Sequence, residues 1–512
     1  MGIKTRAATL LMAGAAVAAL AGGAAMPAHA ETLADAIALA YQSNPTLQRA
    51  RAQQRALDET YVVARAGWRP SVSVSGNMRY SDTSGLGDSN SGGVSLSASQ
   101  PIFTGGRTSA EVRAAMAGVM AGREGLRGIE GDILQAVVQA FEDVRRDFTI
   151  LGIRQNNVEL LTQQLNETQT RFEVGQVTRT DVAQAQAQLA AAKAQLSSST
   201  ATLQNSRASY ATLVGRNPGD LVEPANLPGL PVTIDQAFDA AEAENPDLRH
   251  ARLTEEASRA RVAGAKAAGL PTVSLSASLG YSGQVAPFDV RDYSRAVSAQ
   301  ATVTQPLFSG GVIRSNVRRS LENNNSDRIQ IESVRRAVVQ SVSQAWNSML
   351  SARANVSSDE EGVKAATVAF DGMREQYRVG LSTTLDVLIA QERLRDAELA
   401  LAQARRDRYV AEAALLNNMG RLEVARVVTG APVYDPTASF DEVKNQGAVP
   451  WEHLVQSLDS MGAPADPDPS RPIPAPQLPG AAVVMQQANT APPVDAPYST
   501  AVPTTPRATP AP

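Results

Sequence analysis

The sequence predicts an α + β fold made of one unit used twice: a β-hairpin followed by a long antiparallel α-helical hairpin. Three observations carry this. The sequence repeats itself in register, each repeat holds two stretches of strict apolar/polar alternation, and long stretches with a heptad-like seam follow them. Asn44-Pro45 recurs as Asn245-Pro246 and Pro70 as Pro271, both 201 positions on. Gln100-Pro101-Ile102-Phe103-Thr104-Gly105-Gly106 recurs as Gln305-Pro306-Leu307-Phe308-Ser309-Gly310-Gly311, now 205 positions on. Arg171-Phe172-Glu173-Val174-Gly175 answers Gln376-Tyr377-Arg378-Val379-Gly380, Asp181 answers Asp386, and Gly215 answers Gly420, all at that second offset. A duplication held in register this long means two structural units stacked side by side.

Residues 1–30 read as a secretory signal peptide. Lys4 and Arg6 precede a small, apolar run from Ala7 to Ala25, and Ala28-His29-Ala30 has the form of a cleavage site. The first repeat is placed at 31–231. It opens with a helical stretch, Thr32–Ala66, broken by Asn-Pro; Thr233–Ala268 opens the second repeat, 232–430, in the same way. Strands follow at about 70–80 and 93–103, and at about 271–283 and 293–308. Val72, Val74, Met78 and Tyr80 share one face, and Ser71, Ser73, Ser75, Asn77 and Arg79 the other. Val273, Leu275, Ala277, Leu279 and Tyr281 repeat the apolar set. Alternation of this kind predicts strands that are apolar on one face and wet on the other. Runs of about 10 residues have the length a tilted strand needs to cross a bilayer.

Past Gly106 and Gly311 the period turns helical. Val137, Val144, Leu161, Leu165, Thr168 and Phe172 fall on one seam, and Val338, Val342, Met349, Val356, Phe370 and Tyr377 on its counterpart. Helices are predicted over about 106–173 and 179–214, and over about 311–378 and 384–419, with Gly175 and Gly380 as the stops between them. Residues 431–462 keep a short amphipathic helix with Val443, Trp451, Leu454, Val455 and Leu458. Residues 463–512 hold about half of the chain's 29 prolines, among Ala, Thr and Ser. Such a composition buries no core and reads as disordered.

Composition excludes several classes of function. With no cysteine there are no disulfides, thiolate chemistry, Cys-ligated zinc or N-terminal lipid anchor. Three histidines leave little for a metal site, and a net charge of −4 without a basic block argues against nucleic acid. No Ser/His/Asp set, P-loop or dinucleotide fingerprint appears, so neither an enzyme nor a cofactor is expected. Four strands cannot close a membrane barrel, which needs at least about eight. An open sheet in lipid leaves backbone groups unpaired. If the strands cross a membrane the chain must oligomerise; two copies give eight strands and three give twelve.

The paired motifs Gln-Pro-(Ile/Leu)-Phe-x-Gly-Gly, together with Arg171–Gly175 and Thr180-Asp181-Val182 and their second copies Tyr377–Gly380 and Leu385-Asp386-Val387, resemble the TolC-type outer-membrane channels, in their unlipidated branch. The resemblance covers roughly Thr32 to Tyr434. It implies a homotrimer in which twelve strands form one outer-membrane β-barrel and twelve helices continue it as a periplasmic α-barrel. The function implied is an exit duct for tripartite efflux or type I secretion, reaching from the outer membrane of a Gram-negative cell into the periplasm. A periplasmic adaptor and an inner-membrane RND or ABC transporter would be the partners. The 431–462 segment would belt the helical barrel. The competing reading is an adaptor or other coiled-coil envelope scaffold; adaptors carry one helical hairpin, whereas this chain carries two, each preceded by a strand pair.

By the same resemblance, Thr180, Asp181, Tyr377 and Asp386 fall on gating positions. Asp386 falls on an acidic ring at the tunnel entrance, and Asp181 on an interhelical latch. The family's second acid, three residues after Asp386, is Ile389 here, and its basic position after the turn glycine is Ser382. Val174, Gly175 and Val177, with Val379, Gly380, Leu381, Ser382 and Thr383, match the turns presented to the adaptor. Read from the residues alone, Asp181 and Asp386 are first-turn carboxylates that can cap a helix, and Tyr377 is a seam residue. Asp82, Asp88, Asp289, Arg291 and Asp292 are expected in strand-connecting loops outside the cell.

Overall fold

Thr32 and Thr233 each start a short helix by accepting a backbone N–H three residues on, from Asp35 and Gln236. These helices, α1 (Leu33–Ser43) and α5 (Ile234–Glu244), stop at Asn44 and Asn245. The proline that follows each Asn opens the next helix, α2 (Pro45–Arg65) or α6 (Pro246–Ala267). Proline suits a first helical position because its missing N–H would have no partner there. The computed structural model describes residues 31–85, 87–284, 293–428, 430 and 433–468. Residues 1–30, expected to be a signal peptide, and Asp289, Arg291, Asp292 and residues 469–512 lie outside the described residues, as does the side chain of Asp88.

A 3₁₀ turn, Ala66–Trp68, leads from α2 into β1 (Ser71–Thr83), which is followed by β2 (Gly87–Phe103). The second repeat supplies β3 (Thr272–Gln284) and β4 (Ser294–Thr304). The four form one antiparallel sheet in the order β1-β2-β3-β4. Serines on one face pair across strands, Ser73 with Ser97 at 2.9 Å, Ser75 with Ser95 at 2.8 Å and Ser278 with Ser298 at 2.8 Å. Val72, Val74, Val94, Leu96, Leu275 and Val297 on the other face are exposed.

The strands differ from the predicted spans in an instructive way. β2 begins at Gly87, where the Gly/Ser/Asp sequence carries no alternation, because β1 pairs with it down to Thr83↔Gly87. β4 ends at Thr304, although its motif Gln305–Phe308 copies the end of β2. β2 reaches Phe103 by pairing with Val273 of β3; no strand among the described residues lies on the outer side of β4.

The long helices are α3 (Arg107–Glu173) and α4 (Arg179–Val214) in the first repeat, and α7 (Val312–Arg378) and α8 (Thr384–Asn418) in the second. Short helices α9 (Val424–Val427), α10 (Pro436–Val443) and α11 (Glu452–Met461) follow. The C-terminal segment thus holds two helices where its sequence suggested one; Gly447, at φ +70°, lies between them.

By contacts the chain divides into two units. One comprises Met1–Gln53, Leu126–Val232 and Ala345–Pro436, and is helical. Its core includes Ile37, Phe141, Tyr210, Met349, Leu415 and Leu416, all fully buried. Leu161 of α3 clusters with Leu189 and Ala192 of α4 and Leu388 of α8, and Phe370 and Tyr377 of α7 cluster with Val387 and Ala390 of α8. The other unit comprises Gln54–Gly125, Thr233–Gln344 and Thr437–Pro512, and holds the sheet. No helix among the described residues is long and apolar enough to cross a membrane.

The start of the Pro/Ala-rich segment does not behave as its composition suggests. Ala463 packs so closely on Gly106 (φ +81°) that a Cβ there would collide with it. Lys266 Nζ donates to the Ala465 carbonyl at 3.2 Å, and Arg113 pairs with Asp466 at 3.1 Å. The segment was expected to be without a core from Ala463 on; residues 463–466 are instead tied to α3 and α6, because local composition carries no trace of contacts with a distant partner. From its composition alone, the segment 469–512 is expected to be deletable without change in the thermal unfolding midpoint. Deleting from Ala463 should cost about 1–2 kcal/mol, read as a lower midpoint in the same assay.

Candidate functional site

Each helical hairpin turns in the same way, and the reason is local. Gly175 and Gly380 have φ of +76° and +80°, the left-handed region that favours glycine. Gly175 N–H donates to the Phe172 carbonyl and Gln176 N–H to the Arg171 carbonyl; Gly380 and Leu381 do the same to Tyr377 and Gln376. This pair of bonds satisfies carbonyls that a helix end would leave free. Three residues after each glycine stands a threonine, Thr178 or Thr383, that opens the next helix.

Both threonines form a capping box with an aspartate. Thr178 N–H and Oγ1–H each donate to Asp181 Oδ2 at 2.8 Å, while Asp181 N–H returns a bond to Thr178 Oγ1 at 3.3 Å. In the second copy Thr383 N–H and Oγ1–H donate to Asp386 Oδ2 at 2.9 and 2.6 Å, and Asp386 N–H returns a bond at 3.3 Å. The backbone and side-chain hydrogen bonds from Thr178 hold the Asp181 carboxyl below its ordinary range. Those from the Thr383 side chain and backbone do the same for Asp386. Both acids are therefore anions at neutral pH, fixed at helix N-termini where negative charge is favoured.

Of the other predicted gate residues, Thr180 is exposed and Tyr377 is buried. Tyr377 contacts Arg171 of the other hairpin, whose guanidinium lies 4.3 Å from the ring centroid, and accepts a 3.3 Å bond from Thr384 Oγ1. The side-chain bonds of Asp181 go to Thr178. A second link between the hairpins joins Gln391 Nε2 of α8 to Asn157 Oδ1 of α3 at 3.0 Å, with both side chains buried. Sequence reasoning missed Arg171, Asn157 and Gln391 as linking residues. The first sat inside a motif read for its glycine, and the other two look like solvent-facing polar positions beside the seam.

The tip residues separate by exposure. Val174, Val379 and Leu381 are exposed apolar side chains, while Val177 and Ser382 are half-buried and Gly175, Gly380 and Thr383 are exposed. Ser382 Oγ donates to the Met373 carbonyl at 3.3 Å. Beside the Arg171–Tyr377 contact lies a polar cavity lined by Gln164, Glu167, Arg374 and Arg378 among others.

The duplicated turns and the two-sided sheet find their counterparts among known proteins. The profile of the family described as outer membrane efflux protein matches residues 36–216 and 237–421, one match per repeat. Outer membrane efflux protein BepC of Brucella suis is 34% identical over 419 residues, spanning 82% of this chain and 92% of that protein. Outer membrane protein TolC of Escherichia coli is 26% identical over 427 residues, spanning 77% and 83%. The crystal structure of the CmeC outer membrane channel of Campylobacter jejuni superposes with a TM-score of 0.68 at 16% identity, over 80% of this chain and 89% of that one. With a match in each repeat and a relative at this identity over most of its length, the chain belongs to the outer membrane efflux protein family.

Proposed function

We propose that this outer-membrane exit duct works as a homotrimer, a 12-stranded β-barrel continued by a 12-helix α-barrel. It would be passive, fed by an inner-membrane RND or ABC transporter through a periplasmic adaptor. The observation that carries the assembly is the sheet. β1 and β4 are both edge strands, and the face carrying Val72, Val74, Leu96 and Val297 is bare. Unpaired backbone in hydrocarbon costs several kcal/mol per group, so the edges must pair with other copies. Detergent-solubilised protein is expected to have the mass of three chains plus bound detergent; a stable monomer would overturn the architecture.

The tips supply the other two roles. Val174, Val379 and Leu381 are apolar side chains at the ends of polar hairpins, suited to a partner that covers them. Asp386 is the candidate for the acidic ring at the entrance, with Asp181 its first-copy counterpart and Thr180 beside it. Tyr377, stacked under Arg171, is a candidate for holding the two hairpins together when the entrance is closed.

A further inference from the structure

α11 is built in three flanks. Glu452, Val455 and Asp459 are buried; Trp451, Leu454, Leu458 and Met461 are exposed; and His453, Gln456, Ser457 and Ser460 are exposed and polar. At 3.6 residues per turn these sets fall on separate sides of the helix. The buried side carries both of the helix's acids, with Val455 between them. Glu452 pairs with Arg65 at 2.6 Å and Arg69 at 3.0 Å. Asp459 accepts bonds from Trp68, Thr104, Gly106 and Ser109. A soluble helix puts its apolar residues inward; this one holds its acids inward and turns a stripe of four large apolar side chains outward.

The place of that stripe decides what covers it. Trp451 Nε1 donates to Gln100 Oε1 at 3.3 Å, and Gly462 lies against the ring of Phe103. Gln100 stands opposite Leu275, and Phe103, after an irregularity at Pro101, stands opposite Val273. Both therefore belong to the exposed apolar face of the sheet that carries Val94, Leu96 and Leu275, the face that meets lipid if the strands cross the bilayer. α11 lies at the foot of the sheet on its apolar side, and its stripe continues the apolar band. Its polar flank is left for water. An apolar flank beside a polar one is the pattern of a helix lying in a membrane interface.

We propose that α11 is an interfacial helix whose Trp451, Leu454, Leu458 and Met461 insert into the periplasmic phospholipid leaflet of the outer membrane at the foot of the barrel. This rests on the barrel reading, since the strands must cross the bilayer for their foot to meet it. Glu452 and Asp459 fasten the helix to the end of α2 and the start of α3, so the membrane surface and the junction between strand and helix are held in one register.

The chain has no cysteine, so single-site labelling needs no background removal. Full-length protein carrying Leu458→Cys, or separately Met461→Cys, is labelled with a nitroxide and reconstituted into bilayers of phosphatidylethanolamine and phosphatidylglycerol. Val74→Cys on β1 reports the barrel face. Collision with oxygen and with a water-soluble nickel chelate is then measured. At both α11 sites the expected result is high oxygen access and low nickel access, shifted in the direction seen at Val74. High nickel access at the α11 sites with a lipid-like Val74 overturns the proposal and leaves the barrel intact. Low access to both reagents means that a second copy of the chain covers the stripe, and also overturns it. A water-like Val74 removes the barrel reading, and the proposal with it.

Discussion

Asp459→Ala is expected to destabilise the strand-to-helix junction by about 3–5 kcal/mol, an effect large enough to deplete assembled protein in the outer membrane. The carboxylate is fully buried and accepts six hydrogen bonds. Oδ1 takes Thr104 N–H at 2.8 Å, Thr104 Oγ1–H at 2.7 Å and Gly106 N–H at 3.1 Å; Oδ2 takes Trp68 Nε1–H at 3.2 Å, Ser109 N–H at 3.2 Å and Ser109 Oγ–H at 2.8 Å. Three of these donors are backbone groups just before and within the first turn of α3, which have no partner within the helix. Alanine leaves them buried and unpaired, and burying an unpaired donor is the costly direction. Asp459→Asn keeps the volume but turns an NH₂ group toward N–H donors, so it should recover only part of the loss. The thermal unfolding midpoint and the yield of assembled protein in membranes both read the effect; a midpoint for Asp459→Ala equal to that of the parent would show that the junction does not depend on the carboxylate.

The same site predicts a pH dependence. Burial pushes the Asp459 carboxyl up, but hydrogen bonds from Thr104, Ser109 and Trp68 outweigh it and hold it below its ordinary value of 3.8. A carboxyl lowered in the folded state contributes stability that is present above its unfolded value and lost as pH falls through the folded one. The contribution should be constant from neutral pH down to about pH 4 and disappear only below it. Asp459→Asn should flatten that acid limb.

Asp386→Ala should lower the cation-to-anion permeability ratio of single channels by about tenfold, if three copies of Asp386 ring the entrance. The threonine bonds that keep this carboxyl ionised also predict that selectivity persists to mildly acidic pH and falls only below the ordinary carboxyl range. The capping role has to be separated from the ring role, because Asp386 performs the first whatever its part in the second. Thr383→Ala removes the hydroxyl that closes the capping box and leaves the charge. It should lower stability modestly and leave selectivity in place. Asp181→Ala, with the same cap in the first copy, is the second comparison. Unchanged reversal potentials in an assembled Asp386→Ala channel would reject the ring.

The family and the two-fold repeat were legible because their signals are local. Alternation with period two and a seam with period near 3.6 are properties of short windows. The Asn-Pro breaks, the glycines at positive φ and the Thr-x-x-Asp caps each bond within about six residues, so their geometry follows from neighbouring sequence. That is why both hairpin turns form in the same way, and why Asp181 and Asp386 are legible in the sequence as first-turn carboxylates.

What the tertiary structure decided lies in contacts between residues far apart in the chain. Asp459 meets Thr104 across 355 positions, Glu452 meets Arg69 across 383, and Gln391 meets Asn157 across 234. No local period marks such partners, since a buried acid on an amphipathic helix has the same sequence signature as an exposed one. The strand ends follow the same rule. Gln100–Phe103 and Gln305–Phe308 are nearly the same motif, yet only the first is strand, because pairing depends on a neighbour: Gln100–Phe103 lies beside Val273–Leu275 of β3, whereas β3 begins at Thr272, opposite Thr304, and has nothing left to pair with Gln305–Phe308. The sequence by itself determined that a strand pair and a long helical hairpin form twice; the tertiary structure alone decided which of two equivalent motifs is paired and which way α11 turns its apolar side. Helices, turns and caps are stabilised by nearby backbone bonds, whereas burial depends on what the rest of the chain brings alongside.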